Sequence, residues 1–407
     1  MQYCFGIDIG GTSVKIGLLD RKGNLLKKWE IPSRTEREGV AILPDISESV
    51  AEFLRKEKID RKQILGMGIG VPAPVRADGI VENTVNLGWK YKEVKKEMEQ
   101  RTGIPTVVGN DANLAALGEM WKGAGNQEKN LLMVTLGTGV GGGLIVDGVP
   151  ATGANGAAGE IGHICMNPLE QETCGCGNHG CLEQYASATG IARLARRKLE
   201  ADDRDSVLRK KENKGSVEKE PPGANEVPDG REEIGVKITA KDVFDGVKAG
   251  DALCEEIAEE FGRYLGTGLS MVTAVTDPSV IVIGGGVSKA GDILLDYIRG
   301  PYREHAFQKA KNVRFAIASL GNDAGIYGAA KLMLQELDAK QEKMIEQVAA
   351  TMAVENMPLS TECYNNLKAM ASGEKTRKQI TQEITEKYKK KTEAEHRITE
   401  RKRDITE

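Results

Sequence analysis

The apolar positions of this chain alternate between two periods. Residues 3–9, 14–19 and 25–31 are strand-like runs, separated by Gly10-Gly11-Thr12 and by a polar stretch at 21–24. That spacing predicts two strands joined by a tight turn and a third reached through a hairpin. Ile42, Ile46, Val50, Phe53 and Leu54 then recur at helical spacing. Strand-like runs return at 64–71, 106–108, 131–136, 142–146 and 280–283. Between them Leu253, Ile257, Phe261, Tyr264 and Leu265 mark one face of a helix. Strands interleaved with amphipathic helices predict an α/β protein.

The pattern breaks twice. From 204 to 235 the chain is charged, contains Pro and Gly, and has few apolar residues. It cannot bury enough apolar surface to order itself, and it reads as a mobile insertion. After Leu334 glycine nearly vanishes, leaving only Gly373. Met344, Ile345, Val348 and Met352 predict one helix there. Ser360 caps a second, which holds Leu367, Met370 and Ala371 and ends at Gly373. Ile380, Ile384 and Tyr388 predict a third, followed from 389 by a frayed tail. Residues 335–407 thus form a small all-α appendage.

Composition narrows the function. The chain has 407 residues, ample for more than one domain. Lys plus Arg number 56 against 60 Asp plus Glu, so no basic excess exists to hold a polyanion, and nucleic acid is not expected as a partner. No apolar run reaches the roughly 18 to 20 residues that span a bilayer, and the start lacks a signal segment. A soluble cytoplasmic protein is expected. Cysteines number seven, an odd count, and three crowd into 174–181. That is poor for a disulfide framework and good for a metal.

Three glycine-rich turns follow strands. In Asp8-Ile9-Gly10-Gly11-Thr12-Ser13 a carboxylate at a strand end can hold Mg²⁺ through water. The glycines let backbone N–H groups approach a phosphate, and Thr12 adds a hydroxyl. Alone, such a turn is an ordinary hairpin. Leu136-Gly137-Thr138-Gly139-Val140 repeats the design, and Ile283-Gly284-Gly285-Gly286-Val287-Ser288 opens a helix after a strand. Together they suggest two similar halves gripping a nucleotide. Neither a Rossmann G-x-G-x-x-G nor a P-loop is present. Gly109-Asn110-Asp111-Ala112-Asn113 precedes an apolar helix; Asp111 could cap it, or accept a proton from a hydroxyl under phosphorylation. His163, Cys174, Cys176 and Cys181, in H-x10-C-G-C-G-N-H-G-C, suit tetrahedral Zn²⁺, with His179 as the rival nitrogen.

On these residues the chain resembles the ROK-family sugar kinases, and among them the bacterial glucokinases, over about 2–334. The resemblance implies the actin-like ATPase (ribonuclease-H-like) fold, two α/β domains closing on ATP and sugar. One lobe would comprise 1–117 with about 318–334, the other 118–317 with the zinc motif. It implies that Asp8 organises Mg²⁺, that Gly10, Gly11, Thr12, Ser13, Lys15, Thr138 and Gly139 line the phosphates, and that Gly285, Gly286 and Val287 lie near the adenosine. Asp111 would be the catalytic base and Asn110 would hold a neighbouring hydroxyl. Asn86, Glu160, His163 and Glu183 match sugar-contact positions. The zinc would be structural. ATP and glucose are the implied substrates, and a homo-oligomer is implied. Fructose or N-acetylmannosamine is the alternative acceptor. A sugar-sensing regulator without kinase activity is the other reading; ROK repressors carry an N-terminal helix-turn-helix, for which a phosphate turn starting at Asp8 leaves no room. Ala73 stands where the family has Gly, which would cost on the order of 1 kcal/mol if the turn needs a positive φ.

Residues 335–407 resemble small Fic antitoxin domains of the VbhA-like kind. Their inhibitory helix carries [ST]-x-x-x-E-[GN], matched here by Thr351, Glu355 and Asn356. The resemblance implies that Glu355 pairs with an Arg of a Fic-domain partner and blocks transfer of AMP. An amphipathic tail packing on the kinase or making a dimer contact is the alternative.

Overall fold

The computed structural model describes residues 2–84, 86–209, 238–355, 358–371, 375–387 and 389–390. Asn356, Gly373 and Tyr388, and most of the charged 204–235 stretch, lie outside the described residues. The chain divides into two compact units, Met1–Met333 and Leu334–Glu407.

The larger unit contains the same sheet twice. Strands β1 (Tyr3–Ile9), β2 (Ser13–Asp20) and β3 (Leu25–Pro32) form an antiparallel meander. Onto β1 the strands β4 (Ile64–Val71) and β7 (Thr106–Asn110) add in parallel, giving the order β3-β2-β1-β4-β7. A small hairpin, β5 (Ile80–Thr84) with β6 (Trp89–Glu93), stands apart from that sheet. In the second sheet β8 (Leu131–Leu136), β9 (Val140–Val146) and β10 (Val149–Pro150) repeat the meander. There β11 (Val280–Gly284) and β12 (Arg314–Ile317) add in parallel, giving β10-β9-β8-β11-β12.

The central parallel strands β4 and β11 are buried on both faces, which is why 64–71 and 280–283 read as continuous apolar runs rather than alternating ones. The first sheet packs against helix Ile42–Lys56, whose Ile42, Ile46 and Val50 meet Phe5, Ile7 and Ile69 in one core. The second sheet buries helix Ala252–Thr276 against helix Ile293–His305 in the larger core.

Helix Asp111–Lys122 carries the candidate base at its first residue. It crosses the start of helix Ala324–Val354 so closely that a Cβ on Gly328 would lie 1.7 Å from the Leu114 carbonyl oxygen. Glu119 on the same helix is fully buried. Its carboxylate accepts backbone N–H groups from Ala124 at 2.8 Å, Leu320 at 2.7 Å and Ser319 at 3.2 Å. One carboxylate therefore fixes the end of this helix to the segment that leads into the other, and the buried charge is met by aligned donors.

Sequence patterning located most long elements, and the differences have physical causes. The hairpin β5–β6 is short and polar on its exposed side, so it carries no apolar run. The 204–235 segment begins in packed structure, with Ser206 and Leu208 both buried. Arg204 there pairs with Asp202 and, at 2.8 Å, with Glu256. The first appendage helix does not begin anew after Leu334, because helix Ala324–Val354 has no breaker between the two units. In the smaller unit helix Thr361–Ala371 follows Ser360, whose hydroxyl accepts the Cys363 N–H at 3.2 Å, as the cap pattern predicts.

Candidate functional site

The C-terminal ends of β1, β4 and β7 bring three features to one edge of the first sheet. Asp8 pairs with Gly70 across the β1–β4 ladder, and Val71 pairs with Asn110 across β4–β7. Asp8, the Pro72–Pro74 turn and the Asn110-Asp111 step are neighbours because strand register makes them so. The Gly10–Ser13 turn closes through Gly10 N–H to the Ser13 carbonyl at 2.9 Å. Ser33 braces it, donating its hydroxyl to the Gly10 carbonyl at 2.6 Å and its N–H to the Thr12 carbonyl at 3.0 Å. Gly11 and Thr12 are left exposed. Asn86 lies across from this turn, and a Cβ on Gly11 would stand 3.5 Å from the Asn86 Cβ.

The helix cap is Asn110, not Asp111. The Asn110 Oδ1 accepts the Asn113 N–H at 3.1 Å, while its Nδ2 donates to Asp111 Oδ1 at 3.1 Å and to the Ala73 carbonyl at 3.3 Å. This leaves Asp111 free of capping duty and aims it by one side-chain amide and the Ala112 N–H at 2.8 Å. Burial raises the Asp111 pKa above the ordinary carboxylate value, against those hydrogen bonds and helped by the charge of Glu160. Asp8 is raised to about 6, by burial above all; Lys15 opposes this and the Asp111 charge adds to it. Two carboxyls that disfavour each other's charge, in one cleft, mark a candidate functional site. Ala73 does not have a positive φ, so replacing Gly there carries no backbone strain.

A cavity of about 260 Å³ opens beside them. Its walls include Pro72, Ala73, Asn110, Asp111, Gly141 and Glu160. A larger chamber of about 690 Å³ adjoins it and shares Pro74, Asn110 and Gly156. Glu160, three residues before His163, lies 3.9 Å from His163 Nε2. The opposite ring nitrogen, Nδ1, lies 3.9 Å from Cys174 Sγ. His163 thus stands between the cavity wall and the cysteines.

The donor atoms of His163, Cys174, Cys176 and Cys181 all lie within 4.8 Å of one another, and Cys176 Sγ is 3.7 Å from Cys181 Sγ. A tetrahedron with Zn–S bonds of about 2.3 Å has edges near 3.8 Å, so the donor set fits zinc in both identity and spacing. His179 is outside the cluster; its Nδ1 lies 3.2 Å from the Glu172 carbonyl. The cysteine loop is tied down by Glu170, which is buried and accepts from Tyr185 at 2.7 Å, Arg193 at 3.2 Å and Arg197 at 3.1 Å. The Arg197 guanidinium chiefly holds the Glu170 carboxyl down at about 2.

On the second sheet the Gly137–Val140 turn repeats the Gly10–Ser13 turn. Gly137 N–H meets the Gly139 carbonyl at 2.9 Å, and Thr138 is exposed. Gly285, with φ +85°, packs against β8 so tightly that a Cβ would lie 2.5 Å from the Leu136 carbonyl oxygen. Next to it is a further cavity of about 320 Å³, walled by Gly286, Val287, Phe244, Lys241 and Lys289. Sequence reading named Gly286 and Val287 but missed Phe244 and the lysines. Phe244 belongs to an amphipathic helix, Ala240–Lys248, whose apolar side alone gives no sign of a cavity at its margin. Ser33 was missed likewise, since a serine at a strand end carries no motif.

Two copies of a β-meander extended by parallel strands, each with a glycine turn at its first hairpin and a cleft between them, define the actin-like ATPase (ribonuclease-H-like) fold. Solved structures agree. A ROK hexokinase from Thermus thermophilus matches with TM-score 0.65 at 28% identity, covering 82% of this chain and 100% of that one. A ROK family glucokinase from Streptomyces griseus, in complex with glucose and AMPPNP, matches with TM-score 0.60 at 33% identity, covering 81% and 98%. The glucokinase of Halalkalibacterium halodurans is 40% identical over 337 residues, 82% of this chain and 96% of the relative. The ROK family model matches residues 4–336, and the chain belongs to the ROK family.

Proposed function

We propose that the protein is a sugar kinase that transfers the γ-phosphoryl group of ATP to the 6-hydroxyl of D-glucose. The observation that carries this reading is Asp111: a half-buried carboxylate released from capping, held by Asn110 and Ala112 on the wall of a small cleft, with its pKa raised above the ordinary value by desolvation. The relatives named glucokinase support glucose as acceptor.

Asp111 accepts the hydroxyl proton as the oxygen attacks. Asn110 keeps that carboxylate oriented, and Glu160 and His163 accept or donate hydrogen bonds to other hydroxyls on the far wall. The Gly10–Ser13 and Gly137–Val140 turns offer backbone N–H groups to the phosphates, with Thr12, Lys15 and Thr138 beside them. The cavity at Gly286, Val287 and Phe244 suits a base-sized apolar group, with Lys241 and Lys289 at its rim. Asp8 is the residue to hold Mg²⁺, which supplies charge neutralisation at the phosphates. His163, Cys174, Cys176 and Cys181 hold a structural Zn²⁺, which fixes the imidazole that faces the sugar.

A hexose panel with ATP and Mg²⁺, read by ADP release from the full chain, tests the assignment. Glucose is expected to give the highest kcat/KM, ahead of fructose and N-acetylmannosamine. No turnover with any hexose would favour the regulator reading. In the same assay Asp111→Asn should lose at least about 100-fold in kcat while still binding glucose; retained turnover would remove Asp111 from the base role.

For the smaller unit, we infer an inhibitory contact with a Fic-domain enzyme. The favouring observation is that Thr351 and Glu355 are both exposed and one turn apart at the end of helix Ala324–Val354, the Glu355 N–H meeting the Thr351 carbonyl at 3.3 Å. Glu355 would meet an arginine of the partner. Capture of a Fic-domain protein by the full chain, abolished by Glu355→Ala, is the expected result. Capture unaffected by that change would end the idea.

A further inference from the structure

We propose that Glu183 is a positioning residue that ties the phosphate-side turn of the second lobe to the metal cluster, so that the metal governs the nucleotide side of the cleft as well as the sugar side. The proposal rests on the kinase reading of the same site.

The Val140 N–H stands where the Gly137–Gly139 turn becomes β9. It donates to Glu183 Oε2 at 3.0 Å, a side chain 43 positions away. The rest of the turn is held by the same short segment. Ala188 N–H donates to the Gly137 carbonyl at 2.8 Å, and the Thr189 hydroxyl donates to the Thr138 carbonyl at 2.7 Å. Three backbone groups of the turn, at 137, 138 and 140, are therefore gripped by residues 183–189. The grip leaves no slack: a Cβ on Gly139 would lie 2.2 Å from Glu183 Oε2. The carboxylate fills the space that a side chain at 139 would take.

The other end of this carboxylate faces the cluster. Glu183 Oε1 is 3.7 Å from Cys174 Sγ, and Glu183 follows Cys181 by two residues. A metal that immobilises Cys174 and Cys181 therefore immobilises the backbone that carries Glu183, and through Oε2 the amide of Val140. The two oxygens divide the work. Oε2 is engaged with the turn, and Oε1 remains on the side of the cluster. A charge-assisted hydrogen bond to a backbone donor at a part-buried site is worth enough to shift the turn's equilibrium by about tenfold or more.

The test is amide hydrogen exchange of the full chain, read on a peptide covering 136–146 with one covering β1 as reference, together with KM for ATP and for glucose. In Glu183→Ala the exchange of the Val140 amide should speed by about tenfold or more, and KM for ATP should rise by a similar factor. Glu183→Gln keeps an acceptor for Val140 and should hold the Val140 exchange rate within about threefold of the parent. Removing the metal from the unsubstituted protein with a chelator, without sugar or nucleotide, should also speed Val140 exchange while the β1 peptide keeps its rate. Unchanged Val140 protection in Glu183→Ala or after chelation overturns the link, as does a rise shared equally by β1, which reports general loosening. Unchanged protection in a protein that phosphorylates glucose defeats this link alone. The expected exchange pattern in a protein that phosphorylates no sugar defeats the kinase reading alone.

Discussion

At the scale of single residues, the chemistry turns on which polar group relieves which. Asn110 takes the helix cap, and Asp111 is thereby left unspent. The motif Gly109-Asn110-Asp111-Ala112-Asn113 was readable as a unit, but which of its polar residues caps was not, since both Asn and Asp favour that position. Asp8 carries a testable consequence of burial. Its folded pKa is raised to about 6 from an ordinary 3.8. Near pH 3 the folded and unfolded chains both carry the proton, and nothing is lost. Between about pH 4 and 6 the unfolded chain has ionised this carboxyl while the folded chain still holds its proton. Stability falls by about 3 kcal/mol over that window. Asp8→Asn should therefore be more stable than the parent at pH 7.5 and indistinguishable from it near pH 3.5, by urea unfolding without Mg²⁺. Equal stability at pH 7.5 would show that the site hydrates its carboxylate.

At the scale of elements, the glycine turns are where sequence spoke most clearly. A glycine-rich step between two apolar runs can only be a tight connection, and three of them announced a shared purpose. What the spacing could not tell is the reason for each glycine. Gly285 is required twice over, by φ +85° and by the Leu136 backbone against which it lies. Gly285→Ala should cost about 1–3 kcal/mol in an unfolding titration and raise KM for ATP more than KM for glucose, because the strain falls beside the cavity at Gly286. A change confined to the glucose constant would contradict that placement. The Glu170 network is the opposite case: Glu170, Tyr185, Arg193 and Arg197 hold no motif, and only folding makes them one knot.

At the scale of the whole molecule, the larger unit is two similar sheets with polar groups collected between them, and a metal-ready cluster at the margin. Metal binding requires deprotonated ligands held together, so it is coupled to folding. Dialysis against a chelator should lower the melting temperature and weaken glucose binding together; an unchanged melting temperature would mean that the cysteines stand without metal. The sequence by itself determined the α/β class, the turns, the cysteine and histidine set and the acidic residue of the cleft, because each depends on local period or on residues close in the chain. Only the tertiary structure decided that Asp8 feels the charge of Asp111 and that His163 divides its two nitrogens between cavity and cysteines. It alone decided that Glu183 reaches the Val140 amide. The first and last of those relations join residues 8 with 111 and 140 with 183, and strand register and helix packing, which no local pattern encodes, bring them within hydrogen-bonding or Coulombic range.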